Sequence, residues 1–134
     1  PIVVGFTFCH ENEDKAREMA KEYIGNYWDS IMDHYEFHSD HLKTTSGYEY
    51  YGKFTEKIDK YGDDDVKDFF LDLQVWGTPE QCYQKILATR GRTGNDSYLA
   101  AFSFGGMPYD DVERSMRLFA KEVMPELKKL PAVA

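Results

Sequence analysis

Between Leu73 and Pro125 three signals follow one another in an order that restricts the fold more than any other feature of the chain. Residues 73–76, Leu-Gln-Val-Trp, form a short apolar strand, and Gly77 leads into Thr78 as helix N-cap, with Pro79 at the first helical position and Gln81 three residues after the cap. Cap, proline and capping-box glutamine agree on one helix start. The helix runs to about Arg90 and ends in the glycine-bounded turn at 91–94. Residues 98–102 then predict a second buried strand, and Gly105-Gly106 an elbow. Val112, Met116, Phe119, Val123 and Leu127 supply the apolar stripe of a closing helix, which Pro125 kinks or ends.

Upstream, residues 2–8 are β-branched or aromatic at nearly every position, as in a parallel strand buried on both faces. The polar run Glu11-Asn12-Glu13-Asp14 supplies N-cap candidates. Ala16, Met19, Ala20, Tyr23, Ile24, Tyr27 and Ile31 recur at spacings of three and four, predicting a long amphipathic helix. Periodicity fades over 39–72, which reads as a mobile lid or insertion with one or two short helices. Strands alternating with helices imply parallel β/α units with right-handed crossovers, an α/β fold. The 134 residues make one segment of about three such units. An eight-stranded barrel takes about 250 residues, so strand edges here need cover from further sequence, rearrangement or oligomerisation. A start at Pro1, directly followed by a strand, predicts a chain cut upstream.

Acidic residues outnumber Lys and Arg by 24 to 16, and the net charge of -8 repels phosphate backbones and anionic membrane surfaces. Nucleic-acid and membrane binding are therefore excluded as expectations. Two cysteines far apart in sequence, Cys9 and Cys82, with no secretory segment, point to a reduced, cytoplasmic setting.

Several constellations have a bland reading that outweighs the functional one. His34, His38 and His41 have the spacing of one helical face, which suits zinc, but Ser39-Asp40 interrupts the helix; no metal site is assigned. Gly105-Gly106 lacks the third glycine of a dinucleotide fingerprint and the lysine of a P-loop, so it reads as a tight turn. Asp63-Asp64-Asp65 lacks calcium-loop spacing and reads as solvent-facing. Cys9-His10 stands where a strand exits toward a ligand site, with the two side chains on opposite faces: a packing cysteine and a rim histidine. Tyr27 and Trp28 read as core aromatics.

The segments Gly77-Thr78-Pro79-Glu80-Gln81-Cys82, Gly105-Gly106-Met107-Pro108 and Phe119-Ala120-Lys121-Glu122-Val123-Met124-Pro125, in this order, resemble the C-terminal part of the luciferase-like flavin-dependent monooxygenases. Gly25-Asn26-Tyr27-Trp28-Asp29-Ser30 and Gly47-Tyr48-Glu49-Tyr50 extend the resemblance upstream, over nearly the whole chain.

That resemblance implies the C-terminal portion of a TIM (β/α)8 barrel, dimeric or oligomeric. It also implies reduced FMN, delivered by a separate flavin reductase, that reacts with O2 to oxygenate a small organic substrate; the cofactor carries that chemistry. The family's flavin-phosphate and catalytic groups lie mostly on the first two-thirds of the barrel, so catalytic residues are expected upstream and no FMN is expected on this chain alone. By the same resemblance Tyr27 or Trp28 matches a flavin-proximal tryptophan, and Phe102 and Ser103 leave the last strand near the isoalloxazine ring. Residues 39–72 match a mobile lid in which Lys57 and Lys60 stand nearest the closure lysines. Ser103 stands where light-emitting members of the family carry an acidic residue, so the resemblance implies a generic monooxygenase, and light emission is not assigned. The alternative is a non-catalytic luciferase-like flavoprotein or subunit partner.

Overall fold

A computed structural model describes residues 1–132. The chain runs through β1 (Ile2–Cys9), α1 (Glu13–His34), α2 (His41–Thr44), α3 (Glu49–Tyr61), α4 (Asp63–Asp72), β2 (Val75–Gly77), α5 (Pro79–Thr93), β3 (Ser97–Ala101), α6 (Tyr109–Leu118), a π-helical turn (Phe119–Val123) and α7 (Met124–Leu127).

Caps do what the sequence signals ask of them. Asn12 accepts from the Lys15 N–H to start α1. Thr78 and Gln81 close the full capping box of α5, and Gly94, left-handed at φ 63°, ends that helix three residues later than the sequence suggests. Pro125 neither breaks nor ends the last helix. The turn before it widens instead, with the Met124 N–H donating to the Phe119 carbonyl. A π-turn relieves the clash between the proline ring and the preceding turn.

All three strands are parallel, in the order β2-β1-β3. Thr7, Phe8 and Cys9 pair with Val75, Trp76 and Gly77; Ile2 to Phe6 pair with Ser97 to Ala101. The Gln74 side chain lengthens the short β2 ladder by accepting from the Phe6 N–H at 3.0 Å. A sequential barrel arc would hold β2 between its two neighbours; here β1 is central. Helices lie on both faces: Phe6 and Phe8 pack with Ala20 and Ile24 of α1, whereas Cys9 and Val75 pack with Cys82 and Ile86 of α5 and with Phe119 and Val123. This is helix, sheet, helix in three layers.

Two burial expectations need correcting. β1 is buried on both faces only at Thr7, Phe8 and Cys9, while Ile2 and Val4 are 68% and 62% exposed. β3 is likewise open, with Leu99 53% exposed beside Val4. The helices on that face cover only its carboxyl-terminal half.

Residues 39–72 contain three helices, not one or two. α2, α3 and α4 close a second core against α1, made by Trp28, Met32, Phe37, Leu42 and Ile58. Among the described residues no helix is long and apolar enough to cross a membrane.

Candidate functional site

In open parallel α/β sheets ligands gather outside the carboxyl ends of the strands, where successive connections leave in opposite directions. Here that place is the exit of β1, whose neighbours β2 and β3 are reached on opposite sides. A crevice of about 310 Å³ opens there between the β1 exit and α6. Its floor is fixed by a buried bond: the Cys9 N–H, beyond the reach of β3, donates to the Ser115 hydroxyl at 2.9 Å. His10 forms the rim, half-buried and stacked along Phe8. Its Nδ1 accepts from the Asn12 N–H at 2.9 Å, so the neutral ring carries its proton on Nε2. Arg114, Arg117 and Lys121 form the opposite wall, at spacings of three and four. Arg114 is paired with Asp111, Arg117 with Glu113 at 2.7 Å, and Lys121 with Glu122 at 2.8 Å. The Glu122 hydrogen bond, and more weakly Glu11 across the crevice, hold the Lys121 ammonium above its ordinary pKa.

The residues singled out by resemblance do not converge. Tyr27 is half-buried, its ring edge-on to Phe6 at 4.5 Å. Trp28 is buried in the second core and donates from Nε1 to Asp63 at 3.2 Å. Phe102 stacks edge-on with Phe119 at 5.4 Å and lines a different groove, of about 760 Å³, beside Tyr98 and Met124. Ser103 is exposed and lines neither space. Lys57 and Lys60 are exposed on α3, the latter with Nζ 4.9 Å from the Tyr61 ring. These positions lie in separate packing environments, Tyr27 against Phe6, Trp28 in the second core and Phe102 against Phe119.

The glycine elbow has a packing role. A Cβ on Gly105 would lie 1.8 Å from the Tyr23 carbonyl oxygen, and Asn26 donates to the Gly105 carbonyl at 3.2 Å. The elbow is thus pressed against α1. The three histidines do not share a face, because α1 stops at His34 and Glu36 turns left-handed at φ 51°. Among the described residues no group of three or more His, Cys, Asp or Glu is placed to hold a metal ion. Asp64 and Asp65 face solvent as expected; Asp63 is the exception, being the acceptor for Trp28.

Cys9 and Cys82 meet in the core as free thiols, and the Cys82 thiol donates toward the Phe8 and Gly77 carbonyls. Contact with Cys9, then burial, pushes the Cys82 thiol well above its usual range. Behind β2, Lys85 Nζ sits 3.7 Å from the Trp76 ring centre, and burial lowers its pKa. Sequence reasoning found His10 but missed Ser115, Arg114, Arg117 and Lys121. Their spacing along one helix face was the available signal.

The curated proteins similar to this chain include alkanal monooxygenase alpha chains from several bacteria. That of Photorhabdus laumondii is 28% identical over 126 residues, 92% of this chain and 34% of the relative. That of Aliivibrio fischeri is 28% identical over 126 residues, 90% and 35% of the two chains. That of Photobacterium leiognathi is 30% identical over 125 residues, again 90% and 35%. The chain is similar to bacterial luciferase alpha chains. This luciferase-like chain spans about a third of the length of the curated relatives it matches. No family model matches it.

Proposed function

We propose that this luciferase-like chain corresponds to the C-terminal part of a flavin-dependent monooxygenase barrel. The observation that carries the reading is the similarity itself, running over about nine-tenths of this chain and one third of each alkanal monooxygenase alpha chain. The uncovered Ile2, Val4 and Leu99 and the free outer edge of β3 support it, since they are surfaces a larger sheet would bury. In this reading reduced FMN, supplied in the cytoplasm by a separate reductase, reacts with O2 and oxygenates a small organic substrate. The groups that grip the flavin lie on other units of the barrel. Tyr27, Trp28, Phe102 and Ser103 contribute walls once the barrel is complete, and residues 39–72, with Lys57 and Lys60, act as the lid.

The test is flavin binding by fluorescence quenching under anaerobic conditions. The 134-residue chain binds reduced FMN weakly or not at all, and a longer chain carrying the upstream barrel units binds it. Tight stoichiometric binding by the 134 residues alone would overturn the placement. The same uncovered apolar strands favour a second reading, a non-catalytic luciferase-like subunit partner. A stable dimer of the 134-residue chain, with no oxygenase activity in a longer form, would select it.

A further inference from the structure

We propose that the crevice between the β1 exit and α6 is a binding site for a small phosphate-type oxyanion, an inference that rests on the β2-β1-β3 order of this chain and not on the barrel reading. Charge is the first observation. Over the chain acids outnumber permanent cations by 24 to 16, whereas the residues lining the crevice include three cations, Arg114, Arg117 and Lys121, and two acids, Glu11 and Asp111, with Glu113 and Glu122, the partners of Arg117 and Lys121, outside the lining. Geometry is the second. The three cations rise from one helical face on successive turns, and across from them His10 is held by Asn12 with its Nε2 proton free to donate. Ser115, whose hydroxyl accepts from the Cys9 N–H, lines the floor. Position is the third, for the crevice stands at the carboxyl end of the central strand, where the sheet connections diverge.

The intrahelical partners of the cations do not block this. The Arg117–Glu113 and Lys121–Glu122 pairs are exposed on both sides, and such pairs are weak and easily exchanged; Arg114 is 74% exposed, but its partner Asp111 is only 18% exposed and holds it more firmly. A phosphate dianion offers each guanidinium a two-pronged partner and gathers several cations at once, which a single neighbouring carboxylate does not. A crevice of about 310 Å³ is at the small end of ligand sites, suited to a phosphate group with little attached.

Calorimetric titration of the 134-residue chain at low salt with inorganic phosphate, pyrophosphate and glycerol phosphate tests this, alongside backbone amide NMR shifts. Saturable binding is expected, weakening as salt rises, with shifts confined to residues 9–12 and 111–121. A glycerol phosphate preference identifies a phosphate ester as the ligand, and a preference for the inorganic ions identifies the free anion. The Arg114→Gln/Arg117→Gln double variant alters exposed positions and keeps the amide spectrum of the fold. It weakens binding about tenfold or more, whereas Lys53→Gln, a distant exposed charge, changes it less than about twofold. No saturable binding of any of the three anions up to about 10 mM, or equal losses in the double variant and Lys53→Gln, overturns the proposal.

Discussion

Replacing Gly105 with alanine should damage this fold far more than the same change one residue later, and the difference can be worked from geometry. Gly105 and Gly106 are both left-handed, at φ 59° and 78°. A left-handed L-residue costs roughly 1–2 kcal/mol, so both variants lose about that much. At Gly106 nothing else stands in the way, since a Cβ would have no neighbour within 4 Å. At Gly105 the new atom would sit 1.8 Å from the Tyr23 carbonyl oxygen, where contacts under 3.0 Å are essentially never seen, so 3.0 − 1.8 requires a shift of about 1.2 Å. The obstacle is backbone in the middle of α1, which cannot rotate aside as a side chain could. Overpacking of this kind adds roughly 1–3 kcal/mol. Losing the Asn26 bond to the Gly105 carbonyl adds about 1 kcal/mol. We expect about 4 kcal/mol for Gly105→Ala and about 1–2 kcal/mol for Gly106→Ala, against the 5–15 kcal/mol total typical of native domains. Urea unfolding with an unchanged m-value reads this as a shift of the midpoint. Losses within about 0.5 kcal/mol of each other would refute the close approach of elbow and helix.

Thr78→Ala should cost about 1 kcal/mol, and Gln81→Ala on top of it should cost less than it does alone, because the capping box is reciprocal; additive losses by urea unfolding would contradict this. Burial is the main cause that pushes Tyr98 up to about 12 from an ordinary 10.0, against a smaller lowering by its Thr7 bond. The folded state then holds the phenol proton while the unfolded chain releases it. The stabilisation is present below pH 10 and is lost as pH rises toward 12. Tyr98→Phe should flatten that alkaline loss, and an unchanged profile between wild type and variant would count against it. Cys9 and Cys82, 2% and 0% exposed, should resist disulfide reagents at about pH 8 in the native chain and react fully in denaturant; fast native labelling of either would contradict their placement.

Local signals were legible where the physics is local. Thr78, Gln81 and Gly94 act through bonds spanning a few residues, and α1 declared itself by period. Long-range burial was not legible, because an apolar run such as Ile2-Val3-Val4 looks the same whether helices cover it or not. The helices of 39–72 were hidden for another reason. α3 turns Gly52, Thr55 and Ile58 inward, and Gly52 is small because a Cβ there would stand 3.2 Å from the Lys43 Cα. Of these three buried residues only Ile58 carries a large apolar side chain. The crevice was half legible: His10 follows a strand, but Arg114, Arg117 and Lys121 gain meaning only when α6 lies against β1.

The strand order bears most directly on the barrel proposal. β2 is as buried at Val75–Gly77 as β1 is at Thr7-Phe8-Cys9, but β1, with eight residues, is long enough to pair with β2 through its carboxyl end and with β3 through its amino end, and it takes the central place. In a closed ring, consecutive strands are neighbours and β3 would leave β1 for β2. Val4 and Leu99 are parallel partners and both exposed, on strands about 4.8 Å apart, a separation a disulfide spans. Oxidation of Val4→Cys/Leu99→Cys should therefore crosslink the 134-residue chain, seen as a mobility shift reversed by reductant. The same pair should fail to crosslink in a longer chain that closes the ring. No crosslink in the shorter chain would refute the β1–β3 pairing, and an efficient one in the longer chain would refute the barrel, since one strand cannot keep its neighbour here and yield it to complete a ring.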